Sequence, residues 1–123
     1  MLLVRFADER LTQPASVNGA TMIHVVAIIT TAPGKRAEVL EAFADIVPTV
    51  HAEDGCIEYQ PVVDDTSAAG IETAVGDDTF FVIEKWETLA ALQAHSAAPH
   101  MQDYGKRVGH LVVGRAVHIL RNA

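Results

Sequence analysis

The chain carries one cysteine, Cys56, in 123 residues. That excludes an intrachain disulfide and any cysteine-rich zinc site. Nothing basic stands beside Cys56 to activate it, so it reads as a small buried hydrophobe at a strand start, not a reactive thiol. Positive charge is scarce as well: nine basic residues face sixteen acidic ones, for a net charge of −7. With no basic cluster anywhere, nucleic acid and anionic membrane surfaces are not expected as partners. No apolar run approaches the ~20 residues of a membrane helix. The start, MLLVRFADERLTQ, has too short an apolar stretch and no preceding positive region for a signal peptide, so the expected location is cytoplasmic. A glycine-rich phosphate loop, a nucleophile elbow and a dinucleotide fingerprint are all missing, which leaves nucleotide, flavin and nicotinamide without a seat.

What is present suits one compact domain. Half the residues are apolar, and the mean hydropathy of +0.20 is high for a soluble monomer of this length. Some of that surface is expected to face a partner subunit or a ligand cavity. Residues 1–21 show no sustained period and read as an N-terminal extension, either disordered or an artefact of start-site choice with Met22 as the initiator. A short edge strand at Leu2–Phe6 is the alternative. Residues 22–123 form the domain.

Ile23–Thr30 is β-branched and almost continuously apolar, as a central strand covered on both faces would be. Ala32-Pro33-Gly34 turns into a helix over Lys35–Ala52, whose stripe is Val39, Leu40, Phe43, Ile46, Val47 and Val50. Pro48 removes one backbone bond inside it, and Gly55 can take the left-handed conformation that stops it. His51, near its end, is placed favourably for the helix dipole. Cys56–Val63 alternates as a strand, with Ile57, Tyr59, Pro61 and Val63 on one face, and Pro61 marks it as an edge or a bulge. The acidic connection 64–78 is long enough to line a site or an interface. Phe80–Glu87 is a third strand, with Phe80, Val82, Glu84 and Trp86 on one face. Thr88 caps the next helix, Pro99 opens another at its favoured first position, and Val112–Arg121 closes the sheet. The order βαββαβ predicts an α+β, ferredoxin-like antiparallel sheet with its helices on one face. The other face, also apolar, is left without cover, which predicts a homodimer formed through the sheet.

Glu84, Trp86, His95, His100 and Tyr104 are more chemistry than a small core needs. Glu84 sits on an apolar strand, and a buried carboxylate needs a partner. An ion pair to Arg115 or Lys106 and a role facing substrate both fit. Trp86 suits core packing, and its flat face also suits stacking on a planar ring. His95 and His100 lie five apart across Pro99, which is not the spacing of a helical metal pair, and no third ligand stands near them in sequence, so no metal is expected. A histidine in an apolar pocket suits proton abstraction from a phenol or an activated C–H. His100 could equally bond its own backbone at a helix start.

Three segments in order carry a family likeness: IVPTVHAEDGCIEYQPVVD at 46–64, VIEKWETLAALQAH at 82–95, and PHM with the following tyrosine at 99–104. Through them residues 22–121 resemble the antibiotic-biosynthesis monooxygenase superfamily, with the bacterial quinol monooxygenase branch nearest. The resemblance implies a dimer that oxygenates a hydroquinone or polycyclic phenol with no metal or organic cofactor. Molecular oxygen is the co-substrate, and the substrate supplies the electrons. His95 or His100 would be the base and Trp86 and Tyr59 the ring contacts, with Tyr104 and Glu84 orienting the substrate and Phe43 contributing to its pocket. The haem-degrading branch has a strand asparagine and a haem-ligating histidine where this chain has Ala27 and Gly105, which argues against haem. An isomerase of the autoinducer-processing type and a non-catalytic binding protein for small aromatics are the alternatives.

Overall fold

The computed structural model describes residues 22–67 and 70–123. The expectations for residues 1–21 lie outside them. The elements run β1 (Ile23–Thr31), α1 (Arg36–His51), β2 (Cys56–Val62), β3 (Thr79–Trp86), α2 (Leu89–Ala97), α3 (Pro99–Val108), a single 3-10 turn at Gly109–Leu111, and β4 (Val112–Arg121). The four strands form one antiparallel sheet in the order β2-β3-β1-β4. This is the α+β ferredoxin-like arrangement that the βαββαβ pattern predicts. Each boundary falls within a residue or so of its expected place.

The register sorts the side chains onto two faces. Val25, Ala27 and Ile29 pair with Glu84, Val82 and Phe80, and on the other side with Ile119, Val117 and Arg115. This face meets the helices, and the core is built on it: Val25, Phe80, Val82 and Trp86 pack with Val39, Phe43 and Val50 of α1, Leu92 of α2 and Val108 of α3. Val26, Ile28, Phe81 and Ile83 occupy the opposite face and are only half-buried. Strand β1 is therefore central, as its composition requires, but the described residues cover one of its faces and not both.

Three local devices match the sequence reading. Thr88 accepts a hydrogen bond from the Ala91 amide and caps α2. Pro99 stands in the first turn of α3, where its missing N–H leaves no bond unmade. Gly55 stops the chain after α1 at φ +80, and a Cβ there would sit 2.7 Å from the Ala91 Cβ. The second condition is as strict as the first, because it lets the turn press against α2. Strand β2 lies at the sheet edge, as Pro61 requires.

Two expectations need correction. Ile57 does not share the face of Tyr59: the β2–β3 register shifts between Cys56 and Glu58, and Ile57 is exposed while Tyr59 is buried. A bulge inserts one residue and so breaks the period-two rule that put them together. The connection 64–78 lines no part of the cavity described below, among its described residues. It is drawn shut on itself, because the Asp64 carboxylate accepts from the amides of Val75 at 2.8 Å and Gly76 at 2.9 Å. Those backbone bonds hold the Asp64 carboxyl below its ordinary range.

Candidate active site

Between the sheet and the helices lies a cavity of about 410 Å³. Its walls are mostly apolar: Val25, Ala27, Val82, Leu92, Met101, Val108 and the rings of Phe43 and Phe80. Polar groups enter at few points, namely Tyr59, Glu84, His95, Ser96, Tyr104 and Arg115. An apolar chamber with sparse, convergent polar groups is the usual form of a small-molecule site.

The aromatic wall is built by packing. Phe43 stacks on Tyr59 with centroids 5.1 Å apart and 12° between planes, and it meets Phe80 and Tyr104 edge-on at 6.1 and 5.9 Å. Burial pushes the Tyr104 hydroxyl up to about 12. It raises the Tyr59 hydroxyl further, with the Glu84 charge adding to the effect. Both phenols therefore stay protonated near neutrality and can donate a hydrogen bond, but they cannot serve as bases. Neither hydroxyl has a hydrogen-bond partner among the described residues.

His95 is the centre of the polar groups. It is buried in the last turn of α2, with the Trp86 indole 4.7 Å from its ring on one side and Tyr59 edge-on at 5.2 Å. Its Nδ1 lies 2.9 Å from Oε2 of Glu53, and Nε2 of His100 lies 2.7 Å from the same oxygen. Three elements meet here. The Gly55 turn after α1 delivers Glu53, α2 delivers His95, and the extended backbone at Ala98 redirects the chain so that the first turn of α3 delivers His100. An ionised carboxylate only accepts, so each ring presents N–H to Glu53. His95 then has its proton on Nδ1, and Nε2 is the nitrogen left available to the cavity.

Glu84 is buried beside this group and accepts a hydrogen bond from Nε1 of Trp86 at 2.9 Å. Desolvation raises its carboxyl above the ordinary carboxylate value, and the Trp86 N–H and the nearby His95 oppose the rise. Within the chain Glu84 forms no direct ion pair with Arg115 or Lys106, although the Arg115 charge also acts to lower its carboxyl. The register sets Glu84 level with Val25 and Arg115 level with Ile29, four residues or about 13 Å along the strand. Cys56 is also consistent with an inert thiol: burial, then the charges of Glu53 and Glu84, push it up to about 11.

Of the residues singled out in the sequence, Phe43, Tyr59, Glu84, His95 and Tyr104 line the cavity, whereas Trp86 and His100 do not. Trp86 is fully buried and supports Glu84 and His95 from behind. His100 stands in the row behind His95, on the far side of Glu53. The residue that the sequence reading missed is Glu53. It lies forty-two positions from His95, in an acidic helix-ending turn of ordinary composition, and no local pattern marks it. With it, the third possible metal ligand that the sequence lacked is supplied by the fold. His51, read as a dipole partner, bonds the Tyr59 carbonyl through Nε2 at 3.1 Å and so fastens α1 to β2.

Comparison with known proteins places these features in a family. Residues 22–107 match the family model described as antibiotic biosynthesis monooxygenase. The chain is 43% identical over 103 residues to a protein of Escherichia coli K12 named "Probable quinol monooxygenase YgiN", covering 81% of this chain and 97% of that one. Among solved structures, PA3566 from Pseudomonas aeruginosa superposes with a TM-score of 0.71 at 24% identity, over 85% of this chain and 97% of that one. SO0527 from Shewanella oneidensis gives 0.68 at 25% identity, over 82% and 90%.

Proposed function

Because the chain belongs to the antibiotic biosynthesis monooxygenase family, we propose that it oxygenates a hydroquinone or polycyclic phenol in the cytoplasm, with O₂ as co-substrate and no metal or organic cofactor. The observation that carries this reading is His95. Its ring is buried at the cavity wall and held at Nδ1 by Glu53 at 2.9 Å, which leaves Nε2 to take a proton from a bound phenol. The name of the Escherichia coli relative supports the choice of a quinol.

The chemistry follows from what the chamber offers. Phe43 and Tyr59 form a flat wall for an aromatic ring, and apolar burial removes water from it. His95 Nε2 accepts the phenolic proton, and the imidazolium is stabilised by the Glu53 carboxylate at Nδ1. The phenolate is electron-rich and donates one electron to O₂, which avoids the spin barrier to direct two-electron attack. The radical pair of semiquinone and superoxide then combines through a new C–O bond to give a hydroperoxide. Loss of water across its O–O bond leaves a hydroxyquinone, so a hydroquinone and O₂ become a hydroxyquinone and H₂O. The neutral phenols of Tyr59 and Tyr104 are suited to donate hydrogen bonds to the substrate oxygens. Glu84, steadied by Trp86, orients the substrate's second hydroxyl.

The half-buried sheet face is assigned to a second copy of the chain. Leu120 of β4, exposed and level with His24, continues that face toward the sheet edge, whereas the exposed Val117 and Ile119 border the cavity on the helix side. Sedimentation is expected to give a dimer, and a clean monomer at micromolar concentration would reject this assignment.

Oxygen uptake with reduced naphthoquinones tests the activity. His95→Ala is expected to lower the enzymatic rate by about 10²- to 10⁴-fold, the usual contribution of a positioned base. Uptake by the unaltered protein no faster than the spontaneous reaction, alongside tight quinol binding, would instead identify a binding protein.

A further inference from the structure

We propose that Glu53, His95 and His100 form a binding site for a first-row divalent cation of the zinc type, and that its occupancy converts His95 from a proton acceptor to a proton donor. One ligand atom from each of the three residues lies within 4.8 Å of the other two. Two imidazole nitrogens and one carboxylate oxygen are the donor set that zinc and cobalt favour, with one position left open. The three come from three separate elements, so the fold and not a local spacing assembles them. This explains why the five-residue interval between the histidines carries no sign of it.

The route in and the charge both favour a cation. Side-chain exposure rises from 6% at His95 through 15% at Glu53 to 26% at His100, so the cluster is reached from the side away from the cavity. On that side Glu53 shares a surface groove with Asp54 and Glu87. The nitrogens now stand 2.9 and 2.7 Å from the shared oxygen. Tetrahedral ligands at zinc distances stand about 3.3 Å apart. Lengthening these two contacts by about half an ångström brings them to that spacing, a shift within the reach of side-chain rotation.

The consequence for His95 follows from valence. A nitrogen that ligates a metal cannot also carry a proton. With the ion on Nδ1, the neutral ring must hold its hydrogen on Nε2, the nitrogen available to the cavity. The same exchange moves the His100 proton to Nδ1. No net proton is gained or lost by two neutral rings, yet the cavity now meets an N–H where it met a lone pair. On the proposed monooxygenase reading, on which this last step rests, the ion is an inhibitor and not a cofactor.

The test uses the full chain, stripped of metal with a chelator. Titration calorimetry with Zn²⁺ is expected to give one site per chain, and Co²⁺ to give the visible bands of a four-coordinate complex. Glu53→Gln and His100→Gln should each weaken binding by at least about tenfold, with circular dichroism confirming that both variants fold. Zn²⁺ affinity unchanged in both variants, or no saturable binding, overturns the site. Long-range nitrogen–proton correlation spectra read the tautomer directly: the His95 proton is expected on Nδ1 without Zn²⁺ and on Nε2 with it. Binding with no such shift overturns the switch. Both readouts stand if the protein lacks oxygenase activity; if it has activity, chelator-reversible inhibition by Zn²⁺ is the expected third result.

Discussion

The two faces of the sheet have similar apolar content and opposite fates. On the helix side, Phe80, Val82, Glu84 and Trp86 are buried, and the cavity and the His95 cluster lie there. On the other side, Phe81, Ile83, Val26 and Ile28 reach only half-burial, shielded by their strand neighbours and by no helix among the described residues. Alternation along a strand decides which side a residue takes, but burial depends on what is laid over that side. The covered face holds the polar groups because only there can a carboxylate and an imidazole be desolvated and still find partners. The open face holds its polar groups at the margin, where Lys85 reaches Glu58 at 2.7 Å.

Substitutions can break that contrast. The largest effect is expected from Trp86→Ala, which opens a void under His95 and strips Glu84 of its donor. It should cost about 3–5 kcal/mol in denaturant unfolding and lower activity as well. Adjacent positions compare the faces directly. Val82→Asp buries an unpaired charge and should cost about 3–5 kcal/mol, whereas Ile83→Asp should cost the single chain about 1 kcal/mol while abolishing the proposed dimer in sedimentation. Equal losses in chain stability at the two positions would end the distinction.

A subtler difference is in pH dependence. Burial raises the Glu84 carboxyl, so the folded state holds its proton more tightly than the unfolded state does. The linkage slope is then negative: stability falls as pH rises from the ordinary carboxylate value of 4.5 through the raised folded value. Glu84→Gln keeps an acceptor for the Trp86 N–H and should remove that decline, seen as a flatter plot of unfolding midpoint against pH. On the open face, Lys85→Ala is expected to change stability by only about 0.2–1 kcal/mol, since the ion pair is more than a third exposed. Thermal unfolding in low and high salt would check this smallest effect.

The parts of the molecule differ in how far the sequence disclosed them. The strands, both capping devices and the paired faces of β3 were legible because each follows from a short-range rule: period two, a threonine before a helix, a proline at its first turn. Ile57 was misplaced because a bulge breaks that period and leaves no compositional mark. Glu53 was missed for a different reason. Its role depends on Gly55 letting a turn approach Ala91, a contact between segments thirty-six residues apart. The sequence pointed to His95 and His100, but the carboxylate between them is a product of tertiary packing. The same packing placed Trp86 behind the cavity wall, where a flat ring in a sequence motif reads as a surface for substrate.

The Asp64 clasp has a practical corollary. Two amides held by one carboxylate close the connection between β2 and β3 at its neck, so the arc beyond it transmits no strain to the sheet. A peptide spliced into that arc would hang from a ring already fastened. Epitope tags, fluorophore handles or a second binding module therefore have an insertion port here, and the cavity on the helix side would not register its length.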